Sequence, residues 1–300
     1  MDNKNSISFK DSLKSWDTEN FIDRVFYRPV GFKIAMALKS TGITPNAITI
    51  ISIFFGIGGC LLFYPNNLAI NLVGLALLVC ANILDCVDGQ LARITGIKSE
   101  IGRILDGFAG DLWFLTFYTV MTLRLINYEG WGLFTIGIAL FSGISHLTQA
   151  GMIDYYKTLH LHFLKGGKNS EFETSESIKK HQKSLTWKKP VAKIFFKLYY
   201  LYTLNQEFKT PNLTRYLKNM HTTYPDGFPE EKISAFRSRS LKLMPLLDFF
   251  TFNSRSILIF ITLVTNLEWL YFLVEIVIFN VLLSVAIFKH EKMCRELSVQ

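Results

Sequence analysis

Six stretches of this 300-residue chain are apolar for 14 to 21 residues each, against the roughly 20 a helix needs to cross the hydrocarbon core of a bilayer, and each is expected to span. They run over 47–64, 70–86, 105–125, 132–152, 256–269 and 270–288. Lipid offers no hydrogen bonds to an open backbone, so each stretch must satisfy its own amides, which leaves the helix as the natural solution. A hydrophobic share of 50% and a mean hydropathy of +0.26 are too high for an ordinary soluble domain. The expected fold is therefore all-α, a polytopic membrane protein with six transmembrane helices. The first stretch starts too far along the chain to be a signal peptide, so no segment is expected to be removed.

Basic residues near the ends of the stretches set the orientation. Lys4, Lys10, Lys14, Arg24, Arg28, Lys33 and Lys39 precede the first stretch, Arg93, Lys98 and Arg103 precede the third, and Lys289, Lys292 and Arg295 follow the last. The links YPNNLA and NLEW carry none. Both termini are expected in the cytoplasm, and the net charge of +8 is explained by membrane-proximal surface, with no nucleic-acid partner required. Four segments follow: 1–29, an N-terminal cytoplasmic segment with a short helix capped by Asp17; 30–155, an interfacial helix over VGFKIAMALK and spans 1–4; 156–244, a polar cytoplasmic insertion between spans 4 and 5; and 245–300, spans 5 and 6 with a basic tail. Within the insertion, KKPVAKIFFKLYYLY either lies on an anionic membrane surface or packs a small subdomain. Cys60, Cys80, Cys86 and Cys294 have no metal or disulfide spacing and are expected to be reduced packing residues.

Carboxylates concentrate where the second and third spans meet the cytoplasm, in ANILDCVDGQLARITGIKSEIGRILDGFAGDL. Asp85 and Asp88 share a helix face, and Asp106 and Asp111 enter from the next helix. Carboxylates beside hydrocarbon are costly unless neutralised, so the cluster points to bound cations. Oxygen-only ligands select Mg²⁺, Mn²⁺ or Ca²⁺.

Asp85-xx-Asp88-Gly89-xx-Ala92-Arg93, followed after eight residues by Gly102-xxx-Asp106, resembles the signature of the class I CDP-alcohol phosphatidyltransferase family. TPNAIT, with Asn46 and Thr49, is similar to the start of that family's first membrane helix. The resemblance implies transfer of a phosphoalcohol group from a CDP-alcohol donor to an acceptor hydroxyl, with release of CMP and with two Mg²⁺ or Mn²⁺ ions. It assigns Asp85, Asp88, Asp106 and the last aspartate to metal, and Asn46, Thr49, Asp88, Gly89, Ala92 and Arg93 to the nucleotide. Locally, Gly89 and Ala92 keep a helix face shallow for close approach, Arg93 suits phosphate binding or orientation of a carboxylate, and Asn46 reads equally well as a helix N-cap. The donor is expected to be CDP-diacylglycerol and the acceptor a polar alcohol. FYRP, before TPNAIT, loosely resembles the branch in which a soluble CDP-ethanolamine or CDP-choline donates to a lipid alcohol.

The family's last aspartate falls four residues after Asp106, where this chain has Gly110, and Asp111 comes one residue late. On a regular helix a residue at i+4 lies about 40° from its partner and one at i+5 about 140° away. A π-bulge would return Asp111 to the carboxylate face, where the resemblance makes it metal ligand and catalytic base. Without it, Gly110 is a lost ligand and the site is weakened, as in an inactive scaffold relative.

Lys98, Arg103 and Arg255 are candidates for acceptor or lipid phosphate, and headgroup contacts explain them almost as well. Ser142, Ser145, His146 and Gln149 form a polar stripe that either lines an acceptor pocket or bonds neighbouring helices. Glu275, deep in the sixth span, reads as an interhelical or homodimer contact. A cation transporter would also use intramembrane aspartates, but it leaves the spacing of Gly89, Ala92 and Arg93 unexplained.

Overall fold

The computed structural model describes residues 8–97, 99–168, 172–185 and 190–299, with only the backbone described at 100, 101, 103, 104, 106 and 190–192. Among the described residues there is no strand. After two 3₁₀ turns and a π turn over Asp23–Tyr27, the chain forms α1 (Arg28–Leu38), α2 (Pro45–Leu61), α3 (Leu68–Thr95), α4 (Glu100–Glu129), α5 (Phe134–Leu164), α6 (Ser175–Ser184), α7 (Pro190–Lys209), α8 (Pro211–Thr223), α9 (Glu230–Leu241), α10 (Met244–Leu247), α11 (Phe252–Thr265), α12 (Trp269–Leu273), a second π turn over Val274–Ile278, and α13 (Phe279–Leu297). Two compact units result. One runs to Leu147 and takes in Phe250–Ile278; the other comprises Thr148–Phe249 and Phe279–Gln300.

Among the described residues three helices are long and apolar enough to cross a membrane: α3, α5 and the continuous Trp269–Leu297. A fourth is reached if Met244–Phe250 and Phe252–Thr265, bent by 46°, count as one span. The apolar α2 has 17 residues, short of the length usually required. Phe54, Leu115, Leu140 and Phe288 are exposed, an arrangement suited to lipid and costly in water.

In the first unit, α2 and α3 are brought together by two glycines. A Cβ on Gly59 would stand 2.6 Å from the Gly74 carbonyl oxygen, and one on Gly74 2.5 Å from the Gly59 oxygen. Any side chain at this crossing would separate the helices. Local capping fixes where each helix starts. Thr44 Oγ1 accepts from Ala47 N with Pro45 in the first turn, Asn67 Oδ1 accepts from Ile70 N, and Ser99 Oγ accepts from Gly102 N. Asn46 is thus not the cap of α2. Nor does Asp17 cap the N-terminal helix: Ser15 caps the short turn at Trp16–Thr18, and Asn20 Oδ1 accepts from Asp23 N at 2.8 Å at the start of the longer helical run. Both displaced residues lie within three positions of the true caps, where several Asn, Asp, Ser and Thr compete for the same role.

Two buried ion pairs cross the same unit. Arg124 Nη2 lies 2.5 Å from Glu268 Oε1, and Arg255 of α11 pairs with Glu275 of the second π turn. Glu275 therefore makes an interhelical contact. Arg255, which the sequence offered to a phosphate, is fully buried and already holds an anion.

The second unit contains the stretch expected as a cytoplasmic insertion, here folded into helices around Phe163, Tyr216 and Phe236, whose rings stack. Glu291 of α13 accepts from Asn212 N at 2.8 Å and Leu213 N at 3.1 Å, so one carboxylate satisfies two donors at the start of α8. Gln149 Nε2 donates to Asn280 Oδ1 at 3.1 Å, which assigns that member of the polar stripe to helix–helix contact.

Candidate active site

α3 carries the motif on its C-terminal half, ending at the left-handed Gly96. Asp88 is buried, and Thr49 Oγ1 of α2 donates to its Oδ2 at 2.5 Å. A bond of this length fixes the orientation of the carboxylate. Asp85, three residues earlier on the same face, is half-buried. Hence the two residues that sequence reasoning drew from separate motifs, Thr49 and Asp88, are in direct contact.

Arg93 Nε donates to Ser12 O at 2.5 Å, while Gln90 Nε2 donates to Ser12 Oγ at 3.0 Å and to Arg28 O at 3.1 Å. The N-terminal turn is thereby pinned to the motif helix, giving Arg93 a structural role. A Cβ on Gly89 would lie 3.2 Å from the Arg93 guanidinium, so the glycine leaves the space that Arg93 uses. Ser12 and Gln90 had no signal in the sequence, because the contact joins positions 78 residues apart.

Asn46 Nδ2 donates to Ser99 Oγ at 3.0 Å, tying α2 to the cap of α4. Gly102 sits under this contact: a Cβ there would stand 2.3 Å from Asn46 Oδ1. The motif glycine is required by close approach. Ser99 was missed in the sequence, where its only signal was a cap-forming residue type three positions before Gly102. Lys98 lies outside the described residues, as do the side chains of Arg103 and Asp106.

α4 is a regular α-helix from Glu100 to Glu129. The π-bulge expected to rotate Asp111 is not found in this helix; among the described residues π turns lie at Asp23–Tyr27 and Val274–Ile278 instead. Nothing prevents an unbroken helix here, because a Cβ at Gly107 or Gly110 meets no atom within 4 Å and no packing forces the extra residue out of register. On a regular helix position 111 lies about 140° around the axis from position 106, and open space surrounds Gly110, where the family's last aspartate would stand.

Asp111 is half-buried rather than lipid-exposed. It shares a flank of α4 with Phe114 and Tyr118, since seven residues bring a helix back to within about 20°. That flank meets His146 of α5, whose ring centroid is 4.3 Å from that of Phe114 and whose Nδ1 is 3.4 Å from Tyr118 Oη.

The acidic, all-oxygen donor set of Asp85 and Asp88 suits a hard divalent cation, and the Thr49 bond supplies the outer support that such ligands require. Among the described side chains no three His, Cys, Asp or Glu converge on one point, with the Asp106 carboxylate outside that set.

Comparison with known sequences decides the family. The sequence model for CDP-alcohol phosphatidyltransferase matches residues 42–164, the stretch that holds every motif position above. An archaetidylinositol phosphate synthase of Pyrococcus horikoshii is 34% identical over 130 residues, covering 36% of this chain and 68% of the relative. The chain belongs to the CDP-alcohol phosphatidyltransferase family. Phosphatidylinositol phosphate synthases of Mycobacterium marinum and Mycobacterium tuberculosis are each 28% identical, over 107 and 109 residues, covering 32% and 33% of this chain. The chain spans 45% and 49% of their lengths. As a CDP-alcohol phosphatidyltransferase it is an enzyme of phospholipid synthesis, of a family that is generally dependent on a divalent metal and that implies a CDP-alcohol donor and an alcohol acceptor.

Proposed function

We propose that this phosphatidyltransferase moves a phosphatidyl-type group from CDP-diacylglycerol or a similar CDP-linked lipid to the hydroxyl of a polar alcohol, releasing CMP. The observation that carries the reading is the 2.5 Å contact of Thr49 with Asp88, which joins the two halves of the motif at the helix crossing. The names of the relatives, which make lipids of inositol phosphate, favour a CDP-lipid donor and a phosphorylated polyol acceptor. In this reading six spans place both termini and the site on the cytoplasmic side.

Asp85, Asp88 and Asp106 would hold two Mg²⁺ or Mn²⁺ ions, which when bound neutralise the diphosphate and polarise the phosphorus. Asn46, Thr49, Gly89, Ala92 and Arg93 shape the adjoining surface for the nucleotide. The acceptor oxygen forms a bond to the lipid-side phosphorus as the bond to the CMP oxygen breaks. Its proton goes to the Asp111 carboxylate, which acts as base from the flank of α4 and does not ligate metal. The acceptor then approaches along Phe114, Tyr118 and His146. CMP release from purified protein in vesicles tests this, with Mg²⁺ or Mn²⁺ and a matrix of CDP-diacylglycerol or soluble CDP-alcohols against polar and lipid alcohols. Turnover only with a soluble CDP-alcohol would reverse the direction; metal flux without nucleotide binding would overturn the reading.

A further inference from the structure

α7 has two unlike faces. Phe196, Thr203 and Gln206 are buried, and Gln206 Nε2 donates to the Gly151 carbonyl of α5 at 2.7 Å. Tyr202 packs on the same glycine, where a Cβ would lie 2.3 Å from its hydroxyl. The opposite face is an apolar stripe at helical spacing left open: Ile194 is 53% exposed, Leu198 57%, Leu201 50% and Phe208 83%. A stripe of this size has no place in water.

We propose that α7 lies in the headgroup region of an anionic bilayer, with this stripe turned into the acyl chains. Two observations choose lipid as the occupant. The first is depth: Gly151, to which α7 is tied, stands at the end of the apolar stretch 132–152, where the hydropathy pattern leaves the membrane. The second is charge. Lys197 and Lys209 run along the helix with Lys193, whose ammonium also donates to the Leu185 carbonyl at 3.1 Å, whereas the single acidic residue of α7, Glu207, is turned to the start of α6, accepting from Ser175 N at 2.8 Å and Ser175 Oγ at 2.5 Å. What remains for the surroundings is cationic and apolar, the pairing that binds anionic lipid. Of the two alternatives open in the sequence, subdomain packing accounts for the inner face only. The inference rests on the chain being a membrane protein and is independent of the phosphotransfer reaction.

The test uses the full chain in vesicles, with the exposed Cys80 replaced (Cys80→Ser) and a nitroxide on Leu201→Cys, or on Ser238→Cys as a water-facing control. In phosphatidylcholine vesicles containing phosphatidylglycerol, the label at 201 is expected to collide with oxygen several-fold more, and with a water-soluble nickel chelate several-fold less, than the label at 238. Removing phosphatidylglycerol, or introducing Lys193→Gln with Lys197→Gln, should make the label at 201 shallower. Equal access of the chelate to both positions would overturn the proposal. Exclusion of both reagents at 201 would do so too, identifying a second copy or another protein as the partner.

Discussion

Restoring the missing carboxylate should be tolerated and should replace Asp111. Gly110→Asp places its Cβ where no atom stands within 4 Å, so no overpacking opposes it. Asp is a better helix former than Gly by a few tenths of a kcal/mol. Repulsion from Asp106, one turn away, costs about 0.2–0.5 kcal/mol. These effects cancel, and the melting temperature in detergent should hardly move. The kinetic effect is far larger. If Asp111 takes the acceptor's proton, Asp111→Asn lowers metal-dependent CMP release by about 10²–10⁴-fold, equivalent to about 3–5 kcal/mol in the barrier at 1.36 kcal/mol per factor of ten. Adding Gly110→Asp to Asp111→Asn should recover most of that loss, because a carboxylate at 110 lies about 40° from Asp106 on a regular helix. Single-turnover CMP release with saturating donor is the assay, and CDP binding reports whether the site is intact. Unchanged turnover in Asp111→Asn would refute the base assignment. A double variant that binds CDP but stays inactive would refute the placement of position 110 on the reacting face.

Thr49→Val keeps the volume but leaves Asp88 without its donor, so Mn²⁺ affinity measured by calorimetry should fall about 10–100-fold. Gly102→Ala drives a methyl against Asn46 Oδ1 and Ser99 Oγ and should cost about 1–3 kcal/mol in thermal unfolding. Glu275→Gln leaves the Arg255 charge buried without its anion and should destabilise by about 3–5 kcal/mol, whereas replacing both residues with Leu should cost less. His221 Nε2 lies 3.0 Å from His162 Nε2, an arrangement that works only while one ring accepts, and burial holds the His221 pKa below its usual value. The unfolded chain therefore binds more protons below about pH 6.5, so this contribution is complete above that pH and is lost as the pH falls towards the folded-state pKa. Melting curves across that window should show the loss, and His221→Gln should flatten it.

The all-helical class and the motif were legible because both are local: apolar runs of membrane length and aspartates at fixed spacing. The break between the last two apolar stretches was expected between residues 269 and 270 and falls earlier, at Asn266, which takes the left-handed conformation, so that Trp269 already belongs to the next helix. Contacts across the chain were hidden. Nothing near Arg255 in the sequence indicates that Glu275 will neutralise it, and nothing near Arg93 indicates Ser12. The bulge at Asp111 failed for a different reason. It was inferred from the need of a reaction, whereas the helix follows its own hydrogen bonds, and open space at Gly107 and Gly110 applies no force to disturb them.

Glu291 at the start of α8 also imposes an order on biosynthesis. The donors it satisfies leave the ribosome 79 residues before it does. At about 5–20 residues per second, α8 waits about 4–16 s for the carboxylate that completes its first turn. During that interval Leu213, Tyr216 and Leu217, buried in the finished protein, lack the helix that later joins their unit. A nascent chain stalled before residue 291 should be cut by protease within 211–223, and one released after it should resist. The last helix is thus the closing piece of the second compact unit as well as part of a candidate membrane span.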